Sequence, residues 1–271
     1  MIILAYHRVT PETRGSLSVT VRNFRAQLGC LLDRGLRNVS LDSEVRSSRW
    51  RYAFDRTFAI TFDDGYRDNY FHAMPVLRDM GLTATIFVTV DFIGSERLYP
   101  WDEKRPEIRD DPRSEDKSVT WEQLREMETS GAFSVGSHTL SHPELAHLTS
   151  DRVRHEVVES KQVLERRLLH PIQLFCYPRG SLNRSVVTLV REAGYTLAVV
   201  TPPRPVPSSL YTLPRVGVYR NTDLGTFRRK TGRTLQAILW AGAYPYGREV
   251  HRKALDWTGG KHASPESAEP D

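Results

Sequence analysis

Cysteine is nearly absent from this chain. Cys30 and Cys176 are the only two in 271 residues, too few for a disulfide-stapled scaffold, and both are expected as buried free thiols. Long apolar runs are missing as well. No stretch reaches the roughly 18 consecutive apolar residues that a membrane-spanning helix needs. No basic, aromatic-interleaved nucleic-acid motif is present, and no repeat of about 20–50 residues, so no nucleic-acid partner is expected. Residues 1–7 lack the basic leader and long apolar core of a secretion signal and read instead as a first strand. The expectation is a cytoplasmic protein, with peripheral contact at the inner membrane face left open. A net charge of +5 is compatible with anionic glycans, membrane surfaces or nucleic acid and selects none of them.

What is present is a globular chain. Hydrophobic residues make up 39% and charged residues 26%, a balance that supports one large domain with a real core. Short β-rich runs alternate with helical periodicity through most of the length. The run 57–62 (TFAITF) ends in Asp63-Asp64-Gly65, and 82–90 (LTATIFVTV) has the composition of a buried strand. Further strands are expected at 2–6, 38–41, 132–136, 172–177, 195–201 and 216–219. Helices are expected at 21–34, 42–50, 68–80 with a kink at Pro75, 120–130 behind a Thr120/Gln123 capping box, 148–169 and 183–193. Such alternation predicts an α/β fold on a parallel sheet, open or closed. Three prolines and a high charge density mark 91–118 as a surface loop insertion, in which Trp101 and Asp102 are either ligand contacts or an anchor. A basic amphipathic helix is expected over 223–241, preceded by a proline-rich turn at 202–207. The expected division is a catalytic domain over 1–222, a C-terminal helix and extension over 223–257, and a disordered tail over 258–271.

The polar clusters share one property: each follows an expected strand. Tyr6-His7 follows the first, Asp63-Asp64 the run 57–62, His138 and His142 the run 132–136, and Tyr177-Pro178-Arg179-Gly180 the run 172–175. In parallel α/β sheets the C-terminal strand ends form the active-site rim. Taken alone, Asp63-Asp64 is equally a helix cap or a metal or catalytic site. His138 and His142, four residues apart, would share one face of a helical turn, close enough for one metal ion. No glutamate follows His138, so the zinc-protease pattern is absent. Two imidazoles plus one rim carboxylate suit zinc or another divalent first-row ion. The second carboxylate, kept off the metal, is then free to take a proton from the attacking water. His7 is either a core or capping histidine or the acid that protonates a leaving amine.

The stretches Thr-Phe-Asp-Asp-Gly-Tyr (61–66) and His-Thr-Leu-Ser-His-Pro (138–143) together resemble the polysaccharide deacetylases of carbohydrate esterase family 4, the NodB-like group, over roughly residues 1–220. Tyr6-His7-Arg8-Val9, Phe175 to Gly180 and Leu213-Pro214-Arg215-Val216 agree with it. The resemblance implies a distorted (β/α)7 barrel and metal-dependent removal of N-acetyl or O-acetyl groups from an acetylated glycan, with zinc, or cobalt or nickel, as the cofactor. By position it implies Asp63 as general base and Asp64, His138 and His142 as metal ligands, and it puts Tyr177 and the Arg179 backbone N–H at the substrate and oxyanion position. Cys176 stands where most members carry the arginine that orients the base, and Arg215 is the candidate replacement. Arg179 stands where a tyrosine is usual. The Tyr-His-Arg-Val stretch is similar to the permuted poly-N-acetylglucosamine deacetylase branch, which implies His7 as the acid.

Overall fold

The computed structural model describes residues 1–41, 56–201 and 208–240. The helix expected at 42–50, the turn at 202–207, the residues beyond 240 and the tail at 258–271 lie outside the described residues.

Eleven strands are present among the described residues: β1 (Ile2–Tyr6), β2 (Arg8–Thr10), β3 (Ser18–Thr20), β4 (Arg37–Asn38), β5 (Thr57–Phe62), β6 (Ala84–Val88), β7 (Phe133–Ser137), β8 (Leu174–Cys176), β9 (Leu197–Val200), β10 (Leu213–Pro214) and β11 (Val216–Gly217). Nine of them form one sheet in the order β10-β9-β8-β7-β6-β5-β1-β11, with β4 joined to the start of β5, and every pairing in it is parallel. The short pair β2-β3, not expected from the sequence, lies apart. The end strands β10 and β11 occupy opposite edges of the sheet, yet Arg215 alone separates them in the chain. The Arg215 N–H bonds to Val200 at 2.9 Å and the Val218 N–H to Ala5 at 2.9 Å. Two sheet edges one residue apart require the sheet to curl back on itself, which makes it the expected α/β barrel of parallel strands.

Side chains along each strand alternate between the two faces of this barrel, and both faces are covered. Ile2, Leu4, Tyr6, Phe58, Ile60, Phe62, Phe133 and Val135 pack outward against helix residues such as Phe24, Leu28, Val157 and Val190. Ile3, Ala59, Phe87, Leu174, Cys176, Leu197, Val199 and Leu213 fill the inside. Continuing the same parity past the strand ends puts His7, Asp63, His138 and Arg215 on the inward face, at the C-terminal rim. The catalytic candidates are thus inside the barrel mouth because the pleat places them there.

Several helices differ from expectation. Residues 68–80 hold a π-turn at Asn69–Ala73 followed by an α-helix at Met74–Asp79, with Pro75 in its first turn. A proline lacks the N–H that a continuous helix would need at that point. The single helix expected over 223–241 is two, Leu224–Lys230 and Arg233–Trp240. Thr231 and Gly232 break it, and the Thr231 hydroxyl closes the first helix on the Phe227 carbonyl at 2.8 Å. The insertion 91–118 is not a solvated loop: Tyr99, Asp102, Ile108 and Asp116 are fully buried. Arg8, itself buried, ties it to the barrel, with Nε donating to Asp68 at 2.7 Å and Nη2 to Asp116 at 2.5 Å. No helix among the described residues is long and apolar enough to cross a membrane.

Inside the barrel the ring of Phe87 lies over Gly136, where an added Cβ would sit 2.5 Å from Phe87 Cδ1. Gly136→Ala should therefore lower the unfolding free energy by about 1–3 kcal/mol through overpacking. Equilibrium denaturation would read this, and an unchanged midpoint would show that Phe87 can move aside.

Candidate active site at the barrel rim

The site starts where β5 ends. The Asp63 N–H still continues the ladder, bonding to the Tyr6 carbonyl at 3.0 Å. The chain then turns sharply, with Asp64 at φ 71° and Gly65 at φ 85°. Asp64 in the left-handed region is held by its carbonyl, which accepts from the Tyr99 hydroxyl at 2.6 Å and from the Thr89 N–H at 3.3 Å. Gly65 must be glycine for a second reason: a Cβ would lie 2.9 Å from Val88 Cγ1. The turn sends adjacent carboxylates to different partners. Neither Asp63 nor Asp64 caps a helix.

Asp63 meets Arg215 in a two-pronged pair, Nη1 to Oδ1 at 2.7 Å and Nη2 to Oδ2 at 2.6 Å. Arg215 also donates to the Thr61 hydroxyl at 2.9 Å and to Cys176 Sγ at 3.1 Å. Burial alone would raise the Asp63 pKa, but the charge and hydrogen bonds of Arg215 hold it well below the usual carboxylate range. The Cys176 thiol lies 3.5 Å from Asp63 Oδ1, and burial pushes its pKa up, keeping it protonated. His7 Nε2 stands 3.9 Å from Asp63 Oδ2.

Asp64 faces the two histidines. Its Oδ1 lies 3.6 Å from His138 Nε2 and 3.4 Å from His142 Nε2. His138 Nδ1 donates to the Cys176 carbonyl at 2.8 Å, which leaves Nε2 as the bare nitrogen facing Asp64. Burial pushes the His138 pKa down to about 4, so its ring is neutral, as a metal ligand must be. The histidine pair does not ride on a helical turn, as the spacing suggested. Thr139 and His142 both have positive φ, 70° and 66°, and an irregular turn brings the rings together, 4.9 Å apart at 73°. A tetrahedral ion with bonds of about 2.0–2.2 Å spaces its ligand atoms about 3.3–3.6 Å apart, so the two distances from Asp64 to the histidines fit a small divalent cation. A second triad, Asp63, His138 and Cys176, is also compact. Its carboxylate oxygens are taken by Arg215 and its thiol is protonated, so it is the poorer donor set.

These groups line one cleft of about 350 Å³, together with Trp101, Arg105, Tyr177, Arg179 and Tyr219. The Tyr177 hydroxyl points away, donating to the Tyr211 carbonyl at 3.0 Å. Arg179 sits on the turn after β8 with φ 54°, and its N–H forms no hydrogen bond among the described residues. Trp101 was left open in the sequence. Its ring lies 4.5 Å from that of His142, stacks on Tyr99 at 4.8 Å and 13°, and donates from Nε1 to the Tyr66 hydroxyl at 2.7 Å. Tyr99, Arg105 and Tyr219 were not found from sequence. For Tyr99 and Arg105 the signal was the cluster of aromatic residues within the charged insertion, and Tyr219 had none.

A buried Asp/His/His triangle beside a clamped carboxylate, at the C-terminal rim of a parallel barrel, is the donor set of a metal-dependent hydrolase. Comparison with known proteins places the chain within that class. A family model described as polysaccharide deacetylase matches residues 53–198. YxkH of Bacillus subtilis (strain 168), whose name places it in the same group, is 30% identical over 219 residues, covering 80% of this chain and 70% of its own. The poly-beta-1,6-N-acetyl-D-glucosamine N-deacetylase of Escherichia coli (strain K12) is 22% identical over 84% of this chain, which spans only 38% of that protein's length. Two solved structures share the fold. One is the Streptococcus pyogenes deacetylase PplD in complex with acetate, with a TM-score of 0.71, 22% identity, and coverage of 86% of this chain and 98% of that one. The other is IcaB from Ammonifex degensii, with 0.66, 23%, 89% and 97% respectively. The chain belongs to the polysaccharide deacetylase family and is a deacetylase enzyme.

Arg215 and Asp63 are both almost fully buried, so removing one partner strands the other's charge. Arg215→Met should destabilise the fold by about 3–5 kcal/mol, and the double variant Asp63→Leu/Arg215→Met should recover much of that loss. Thermal and chemical denaturation of the three variants would test it. Additive effects would mean that the pair is not coupled.

Proposed function

We propose that the cleft removes N-acetyl groups from an acetylated amino-sugar glycan. The observation that carries this reading is the Asp64/His138/His142 triangle set directly beside the Asp63–Arg215 pair. Asp64, His138 and His142 hold a divalent ion, zinc by the two-nitrogen, one-oxygen donor set, with cobalt and nickel as alternatives. When bound, such an ion supplies Lewis acidity, which makes water acidic enough to deprotonate near neutral pH and draws charge from the acetyl carbonyl.

The protein's own residues do the rest. Asp63, kept ionised and fixed by Arg215, has lone pairs left to accept the proton of the attacking water. As water adds to the carbonyl carbon, the Arg179 N–H at the rim donates to the developing oxyanion beside Tyr177. The C–N bond breaks as His7 delivers a proton to the nitrogen, releasing acetate and the amino sugar. His7 favours N-acetyl over O-acetyl substrates, because an amide nitrogen cannot leave without that proton. The likeness to a named poly-beta-1,6-N-acetyl-D-glucosamine N-deacetylase supports the same choice.

Acetate release from N-acetylated oligosaccharides should stop with a chelator and return with zinc. Asp63→Asn should keep metal affinity, measured by titration calorimetry, while losing about 10²–10⁴-fold in kcat. Normal turnover in that variant would reject Asp63 as the base. His7→Ala should lose about 10²–10⁴-fold in kcat, with less loss on an acetyl ester whose leaving group is a phenol. Equal losses on both substrates would remove His7 from the acid role.

A further inference from the structure

Two guanidinium groups line the cleft that the reaction above does not use. Arg179 projects from the turn after β8 with its side chain 56% exposed. It forms a loose, exposed ion pair with Glu144 at 3.7 Å, too long for a hydrogen bond. Arg105 is the opposite case, a pinned fork. Its Nη2 donates to the Ser16 hydroxyl at 2.9 Å, and its Nη1 lies 3.3 Å from Asp102. Its guanidinium also rests on Gly15, where a Cβ would fall 2.5 Å from Nη1. Asp102 also accepts from the Tyr66 hydroxyl at 2.5 Å, which fixes the carboxylate that holds Arg105.

Among the described residues, the carboxylates lining the cleft are Asp63 and Asp64. Arg215 neutralises the first, and a divalent ion more than neutralises the second. Even with Asp102 beside Arg105 and Glu144 beside Arg179 counted, a cleft holding a divalent ion is positive on balance, with one guanidinium held rigid and one in a loose, exposed pair. A neutral glycan makes no use of that field. A field of this sign also repels the ammonium group left on each sugar that has already lost its acetyl, which works against clearing a run of neighbouring sugars.

We infer that the acetylated amino sugar this enzyme takes is joined to a group bearing anionic oxygens, carboxylate or phosphate, which Arg105 and Arg179 bind. This rests on the deacetylase reading and adds the substrate's charge to it. Guanidinium groups suit both anions because their paired N–H donors match two oxygens at once.

The test is acetate release by the zinc-loaded full chain on three probes. These are a neutral N-acetylglucosamine tetrasaccharide, a tetrasaccharide alternating N-acetylglucosamine with glucuronate, and uridine diphosphate N-acetylglucosamine. One anionic probe should exceed the neutral one in kcat/KM by about tenfold or more at low salt, and the ratio should shrink as salt rises toward about 0.5 M. That comparison needs no variant. Preference for the glucuronate probe assigns a carboxylate-bearing polymer, and preference for the nucleotide sugar assigns a phosphate-linked unit. Arg105→Gln and Arg179→Gln should each lower the anionic-to-neutral ratio. A ratio near one at all salt concentrations, or a ratio that neither variant changes, would overturn the charge preference while leaving the deacetylase reading intact. Acetate from none of the probes, with zinc bound, would overturn the deacetylase reading itself.

Discussion

The structure depends on one buried ion pair, Asp63 with Arg215. Arg215 is the single residue between the two edge strands, so the side chain that clamps the carboxylate sits at the seam where the barrel meets itself. Closing the barrel and orienting the carboxylate are one event. The pair also fixes the protonation state, since a buried aspartate without a cation would drift toward its neutral acid form. Thr61 and Cys176 hold the guanidinium from either side, which leaves it little freedom to turn away.

Around that pair, the insertion after β6 acts as a brace for the candidate cation-binding groups. The Tyr99 hydroxyl holds the Asp64 carbonyl, Trp101 packs on the His142 ring, and Tyr66 links Trp101 to Asp102. Arg8 and Arg14 fasten the same segment to β2 through Asp116. A backbone forced to positive φ at Asp64 and His142 would relax without such support. The segment with the most loop-like composition thus supplies the aromatic wall behind two of the three candidate ligands.

Much of this was legible in the sequence, for definite reasons. Buried parallel strands such as 57–62 are nearly continuous apolar runs, and the polar residues that follow them stand out sharply. That is why Asp63, Asp64, His138, His142 and His7 were visible as a set, and why the fold class was too. Less was legible where the chain relies on long-range contacts. The His138/His142 spacing suggested a helical turn because nothing local announces left-handed residues at Thr139 and His142. Charge and proline in 91–118 concealed Tyr99 and Asp102, whose burial depends on partners some 35 residues away. The short strands β2, β3 and β10 have two or three residues each, below the length at which periodicity says anything.

The position of Cys176 has a consequence for how such enzymes are sorted. The motif resemblance places an arginine there, and a thiol in its place reads as a disarmed catalyst. In this barrel the positive charge is delivered from the neighbouring seam, and the small thiol leaves room for it. Any classification that scores residue 176 in isolation would discard a sequence whose candidate base is fully clamped. In this chain residues 176 and 215 meet at the same carboxylate, and they carry information only when read jointly.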